Sequence, residues 1–153
     1  MINLLSFSEY VKFDSKLGIQ YKKMFRVKND RRNDFRPLEI FKNTMGIYYF
    51  VSCDGTVLYI GESHEQGLYD RIAQHFSDDD TGGLRYKLIK NERKDLLDDL
   101  ENSVLYVFPL GQDKDFVTNL EKRLINLYNP RMNGKVDKKF KCGSMLIGSV
   151  AKL

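Results

Sequence analysis

Gly46-Ile-Tyr-Tyr-Phe-Val-Ser-Cys-Asp-Gly-Thr-Val-Leu-Tyr-Ile-Gly61 is the stretch on which the reading of this chain turns. Two runs rich in β-branched and aromatic residues flank Asp54-Gly55, a pair that readily takes the positive φ angles of a type I′ turn, so a β-hairpin is expected. A two-residue loop sets the register: Ser52 opposite Val57, Phe50 opposite Tyr59, Tyr48 opposite Gly61. Opposed residues share a face and faces alternate along a strand, which groups Tyr48, Phe50, Tyr59 and Gly61. Ile47, Tyr49, Val51, Leu58 and Ile60 form the other face, an apolar set suited to a core. The two tyrosines are then left on a surface where Gly61 adds no bulk beside Tyr48, a seat for a phosphate. A four-residue loop would keep this grouping; an odd-length loop would separate the phenols, because a one-residue slip sends side chains to the opposite face.

Downstream, Leu68 to Phe76 reads as a helix with Leu68, Ile72 and Phe76 on one stripe. Arg71 and His75 are four apart and share a helical face. A guanidinium can fork onto two phosphate oxygens and an imidazole can donate or accept a proton, so the pair suits a phosphate clamp, although a lone Arg/His pair more often decorates a surface. Asp113 to Tyr128 is the best helix in the chain, with Phe116, Leu120, Leu124, Leu127 and Tyr128 as its inner stripe. Glu121 flanks that stripe; such a glutamate is usually a surface residue paired with a lysine, here Lys122 or Lys114. Pro130 disfavours α geometry at Asn129 and turns the chain so that Asn133 can return to the sheet.

Gly46-Ile47-Tyr48 followed by Tyr59-Ile60-Gly61 resembles the double tripeptide of the GIY-YIG nuclease family. The resemblance runs from Gly46 to Asn133 and includes an arginine on the helix after the second tripeptide, Arg71, with His75 one turn later. It also includes Glu121-Lys-Arg-Leu-Ile-Asn-Leu-Tyr-Asn-Pro-Arg-Met-Asn133, similar to the family's glutamate helix and Asn-Pro loop. The resemblance implies a DNA endonuclease in which Glu121 holds one Mg²⁺ (Mn²⁺ as substitute). Tyr48 or Tyr59 takes a proton from water, with Tyr48 the preferred base. Arg71 and His75 hold non-bridging oxygens, and Asn133 orients a phosphate or supports Glu121. One carboxylate suffices for Mg²⁺ when waters and phosphate oxygens complete its octahedron. The chain departs from many relatives in carrying Glu62, not a basic residue, directly after the second tripeptide; His64 nearby reads first as a plain loop histidine and second as a stand-in for that basic residue.

With 153 residues the chain is sized for one domain that buries roughly two-thirds of its unfolded surface. Two cysteines without CxxC spacing argue against a zinc knot or disulfide framework and suit a reducing compartment. The first residues carry no basic n-region and long apolar h-region, and no apolar run approaches a membrane span, so a cytoplasmic protein is expected. The formal charge is +4 and the pI about 9.0, unevenly placed. Lys12 to Arg36 holds nine basic residues against Asp14, Asp30 and Asp34, which is +6. Lys22, Lys23, Arg26, Lys28, Arg31, Arg32 and Arg36, with Phe25 and Phe35 interleaved, suit a phosphate grip or a solvated charged loop equally. Lys138 and Lys139 belong to a second basic patch in the tail.

The coarse expectation is an α/β (α+β) protein with a small three-stranded mixed or antiparallel sheet flanked by helices. Met1 to Tyr21 reads as one short helix and a turn, Leu84 to Leu100 as one or two helices, and Val104 to Phe108 as a third strand ended by Pro109. Asp78-Asp79-Asp80 reads as a solvated loop, since three adjacent acids cannot all face one ion without special turns. Residues 1–45 form a basic extension, 46–134 the nuclease domain and 135–153 a basic tail. The partner is DNA, with no membrane; restriction, mobile-element or phage, and repair or recombination roles all stay open, and a restriction enzyme of this size would act as a homodimer to cut both strands. The competing reading is a DNA- or protein-binding module that keeps the scaffold without catalysis.

Overall fold

The computed structural model describes residues 2–12, 21–29, 35–111 and 113–134. Its centre is an antiparallel sheet in the order β1-β2-β5-β3-β4. The strands are β1 (Ile2–Lys12), β2 (Tyr21–Asn29), β3 (Met45–Val51), β4 (Val57–Ser63) and β5 (Val104–Gly111). The three strands expected from sequence, β5, β3 and β4, form the antiparallel unit that carries the site, and helices flank it.

The N-terminal arm is where the local pattern misleads. Its apolar residues are spaced well enough for a short helix, yet Ile2–Lys12 is a strand, and Tyr21–Asn29, most of it from the basic stretch that suited a phosphate grip or a charged loop equally, is another. Both join the sheet edge-on, β2 pairing with β5 from Lys23 opposite Val107 to Arg26 opposite Val104. A strand is decided by the partner edge that accepts it, and that edge lies some eighty residues further along the chain.

The hairpin keeps its predicted register near the tyrosines, Phe50 opposite Tyr59 and Tyr48 opposite Gly61, by a different route. Ser52 N–H donates to the Thr56 carbonyl (2.8 Å) and Gly55 N–H to the Ser52 carbonyl (3.0 Å), so Cys53, Asp54 and Gly55 form a three-residue loop. Gly55 alone has a positive φ there, +91°, which excludes the type I′ turn that needs two. An odd loop would put the phenols on opposite faces. The ladder therefore shifts between Phe50 and Val51, with Val51 opposite Val57, and Leu58 is the extra residue that restores the register. Leu58 consequently packs with Tyr48 and Phe50, not with the Ile47 set as the even loop implied. Its freed carbonyl accepts from Met132 N–H at 3.0 Å.

Both faces of the ribbon are buried, so the tyrosine face is not the surface that alternation suggested. On one side Tyr48, Phe50, Leu58, Leu105 and Val107 pack against a short 3₁₀ helix (Arg36–Phe41), α1 (Leu68–Gln74), α2 (Leu84–Lys90) and α3 (Lys94–Glu101). On the other, Ile47, Tyr49, Val51, Ile60 and Phe108 pack against α4 (Lys114–Tyr128). β5 does not end at Pro109 but continues through it to Gly111, because a bulge lies between the Met45 and Gly46 pairings and β2 pairs only as far as Val107.

The Asp113 side chain caps α4 by accepting from Phe116 N–H, and Asn129 ends it in the left-handed region (φ 46°) just before Pro130. The stripe facing the sheet is Val117, Leu120 and Leu124, whereas Phe116 and Leu127 are 43% and 60% exposed. At about 100° per residue, Phe116 and Leu127 fall on one flank of that stripe, about 70° and 50° from its centre, and Glu121 falls on the opposite flank, about 70° away. The Asp78 to Asp80 stretch is a loop: Asp80 Oδ1 accepts from Gln74 Nε2 and Gly82 N–H, both at 2.9 Å. Among the described residues no group of three or more histidine, cysteine and acidic side chains is arranged to hold a metal, and no helix is long and apolar enough to cross a membrane.

Candidate active site

The site opens at the end of β4, where the rims of the two cores meet. Tyr59 and Glu62 come from β4, Arg71 and Gln74 from α1, Glu121 from α4, and His64 to Gln66 from the loop between. Together they line a cleft of about 530 Å³.

Tyr48 sits behind this cleft, fully buried, and its ring passes over Gly61. A Cβ on that glycine would lie 2.4 Å from the Tyr48 hydroxyl, so the glycine is the space the phenol occupies, not an open phosphate seat. His75 is buried too, at 1% exposure, and its Nε2 lies 2.6 Å from the Tyr48 hydroxyl. Its Nδ1 accepts from Leu84 N–H at 3.2 Å. A ring nitrogen that accepts carries no proton, so in the neutral ring Nε2 holds the hydrogen and donates it to Tyr48. Burial first, then the charges of Arg71 and Lys87, hold His75 well below the usual imidazole range, and the ring stays neutral. Arg71 and His75 thus do not form a side-by-side clamp. His75 N–H bonds three residues back, to Ile72, which tightens the end of α1 and turns the imidazole into the core while Arg71 reaches the cleft.

Both phenols are raised above the ordinary tyrosine value, Tyr48 strongly, with burial the main cause in each. The Arg71 guanidinium lies against both and pulls in the opposite direction, through its charge and through hydrogen bonds to each oxygen. Tyr48 in turn stabilises ionised Tyr59 by hydrogen bonding to it. His75 thus bonds to Tyr48, and the Tyr48 ring lies 6.2 Å from that of Tyr59, the member at the cleft.

Glu121 faces Arg71 across this space. Burial, then the Glu62 carboxylate, push it up from 4.5 to about 7; Arg71, His64 and Lys122 offset only part of that. An acid held at such a value is short of positive charge, and a cation beside it would restore the ordinary carboxylate. That shortage, with an open polar cleft around it, fits a divalent ion held by one carboxylate, with water and substrate oxygens as its other ligands. Glu62 lies in the same cleft, both its oxygens 2.7 Å from His64 Nδ1. His64, just past β4, therefore partners Glu62.

Asn133 does return to the sheet, and its whole amide is engaged there. Its Oδ1 accepts from Ile60 N–H (2.9 Å) and its Nδ2 donates to the Ile60 carbonyl (2.7 Å). It acts as a short stand-in for a further strand on the open edge of β4. Of the basic arm, Lys22, Lys23, Arg26 and Lys28 lie on β2 and Arg36 opens the 3₁₀ helix, exposed; Arg31, Arg32, Lys138 and Lys139 lie outside the described residues. Sequence reasoning missed Gln74, which touches Arg71 Nη1 at 2.5 Å and lines the cleft. Its place three residues after Arg71 on the same helix was the available signal.

Residues 44–135 match the GIY-YIG catalytic domain, the greater part of the chain, and the protein belongs to that family. The domain is of nuclease type. No curated protein and no solved structure matches the chain.

Proposed function

We propose that this protein is a divalent-cation-dependent endonuclease that hydrolyses phosphodiester bonds of DNA. The observation that carries the reading is the convergence of Tyr59, Arg71 and Glu121, from a strand and two helices on opposite sides of the sheet, around one open polar cleft. Each serves a step that phosphodiester hydrolysis demands.

Arg71 offers the fork for the non-bridging oxygens of the scissile phosphate. The water's proton enters the phenol pair at Tyr59, since Tyr48 is closed off behind it. An ordinary phenol costs on the order of 4 kcal/mol to ionise at pH 7, and burial raises that cost. Arg71, and hydrogen bonding by Tyr48, lower it again at the one oxygen that meets substrate. Glu121 would hold the ion, Mg²⁺ or Mn²⁺, which supplies charge neutralisation at the leaving oxygen. Asn133 and His75 act through others, the first by fixing β4 and the second by fixing Tyr48. The basic arm, with Lys138 and Lys139 in the tail, supplies the sequence-independent grip on phosphates, which a steep fall in affinity with added salt would reveal.

The test is supercoiled plasmid incubated with Mg²⁺ or Mn²⁺, comparing wild type with Arg71→Ala and Glu121→Ala. Arg71→Ala should cut about 10²- to 10³-fold more slowly, the cost of removing one such donor. Equal cutting by all three proteins, or none by wild type on duplex, nicked and branched DNA, defeats the proposal. Sequenced ends then sort the roles: fixed double-strand sites indicate two copies acting together as a restriction enzyme, while scattered nicks indicate one.

Glu62 favours one other reading. A carboxylate in the cleft opposes a phosphate, as it would in a binding module that has lost catalysis. Calorimetric titration with Mg²⁺ separates the two, since an idle module gives no heat that depends on Glu121.

A further inference from the structure

We propose that Gln74 is the positioning residue of the phosphate clamp: its amide oxygen holds the Arg71 guanidinium in the cleft without cancelling its charge, and Asp80 fixes which way that amide faces. The inference rests on the nuclease reading above and deepens it.

Gln74 is the last residue of α1, and its Oε1 accepts from Arg71 Nη1 at 2.5 Å and from Gln66 Nε2 at 3.2 Å. Its Nε2 donates to Asp80 Oδ1 at 2.9 Å. An ionised carboxylate only accepts, so the amide nitrogen must face Asp80 and the oxygen must face Arg71. Asp80 is itself held: its N–H donates to Ser77 Oγ at 3.2 Å, its carbonyl accepts from Gly83 N–H at 3.0 Å, and its Oδ1 also takes Gly82 N–H. The loop read from sequence as a solvated acidic turn is thus the anchor of a three-member line, Asp80 to Gln74 to Arg71.

The choice of a carboxamide has a chemical reason. Arginine has five N–H donors and must keep most of them, and its full charge, for the phenols and a phosphate. A carboxylate at position 74 could still accept from Arg71, but it would lose the donor that Asp80 holds, pair with the guanidinium as an ion and weaken its pull on the substrate. A neutral acceptor orients without competing. The negative charge that fixes the line is kept one residue further back, on Asp80, which is separated from Arg71 by the whole length of the glutamine.

The experiment is plasmid cutting with Mg²⁺ by wild type, Gln74→Leu, Gln74→Glu, Asp80→Ala and Asp80→Asn, with melting temperatures alongside. Gln74→Leu and Gln74→Glu should each lower kcat by about 10-fold or more, toward the ~10²-fold that misplacing a catalytic group costs. Gln74→Glu should also melt lower than wild type, because it trades the amide donor that faces Asp80 for a carboxylate oxygen of like charge. Asp80→Asn, which retains an oxygen acceptor, should recover most of the rate that Asp80→Ala loses. In an Arg71→Ala background Gln74→Leu should have no further effect, because a residue acting only through Arg71 has nothing left to act on. Should Gln74→Leu unfold, Gln74→Glu carries the test, since it preserves volume and acceptor. A wild type that cuts while both Gln74 variants match it overturns this inference and leaves the nuclease reading standing; losses that multiply with Arg71→Ala also overturn it. A wild type that cuts nothing removes the nuclease reading and this inference with it.

Discussion

Tyr48 and Tyr49 are adjacent on β3, of one type and both nearly inaccessible to solvent, yet they belong to different molecules in all but covalent terms. Tyr49 lies among apolar and aromatic side chains, its ring 4.9 Å from Phe108 and 5.6 Å from Tyr106, over the α4 side of the sheet. Tyr48 lies on the other side against a buried histidine, a guanidinium and a second phenol. One face packs; the other packs and carries a line of polar groups to the cleft. The difference teaches that burial by itself says nothing about role. What marks Tyr48 is its company, the His75 imidazole against its hydroxyl and the Arg71 charge beside it.

The largest effect expected from that contrast is on turnover. Tyr48→Phe should reduce cutting by about 10²-fold or more, as the loss of a group in the reacting array does, while Tyr49→Phe should cut at the wild-type rate. Comparable losses in both would erase the distinction. Tyr48→Phe should also lower stability by about 1–3 kcal/mol in denaturant titration, because it leaves the His75 N–H buried without an acceptor.

Next comes Gly61→Ala, which places a methyl group where the Tyr48 hydroxyl sits. Tyr48 cannot retreat from a core in which it is fully buried, so overpacking should cost about 1–3 kcal/mol and cutting should fall with it. Unchanged melting and unchanged rate would show that the phenol has room this geometry denies it.

The two sides also carry opposite responses to pH. His75, held far below its unfolded value near 6.5, loses stability for the fold as pH falls below that value, since only the unfolded chain takes up the proton. Glu121, raised from 4.5 to about 7, does the reverse: the folded state holds the proton more tightly, so stability falls as pH rises from about 4.5 to 7 and stays reduced above. Glu121→Gln should therefore stabilise the metal-free protein at pH 8, by about 1–2 kcal/mol after allowance for its partial exposure, and should remove the decline across that window. Mg²⁺ affinity, read by calorimetry, should drop about tenfold per pH unit below 7 in the wild type. A pH-independent affinity would mean that Glu121 is ionised throughout.

The smallest effect is expected at the edge of β4. Asn133→Ala removes two hydrogen bonds to Ile60 and should cost about 1–2 kcal/mol in denaturant titration, with KM for DNA unchanged. A raised KM with no loss of stability would return Asn133 to the substrate.

Much of this was written locally. The hairpin, its register at Tyr48 and Tyr59, the helix of Arg71, the long helix of Glu121 and its stop at Asn129 each follow from residue type and spacing within a few neighbours. Turn chemistry was misjudged because Asp54-Gly55 suits more than one loop length, and only the cross-strand ladder shows that Leu58 absorbs the odd residue. The strands of the N-terminal arm were missed because nothing nearby in the chain announces the edge of β5.

The sequence by itself determined which groups this protein can bring to its chemistry, and on which elements: two phenols on a ribbon, a guanidinium on the next helix, an acid on a late one. Only the tertiary structure decided their stations. It buried Tyr48 and left Tyr59 at the cleft, withdrew His75 from the clamp to hold a phenol, tied Asn133 to a strand and put Gln74 at the side of Arg71. The physical reason is that a residue's identity and spacing fix what it can donate, accept or ionise, whereas its exposure, charge partners and hydrogen-bond direction arise from elements distant in sequence that meet only when the core closes.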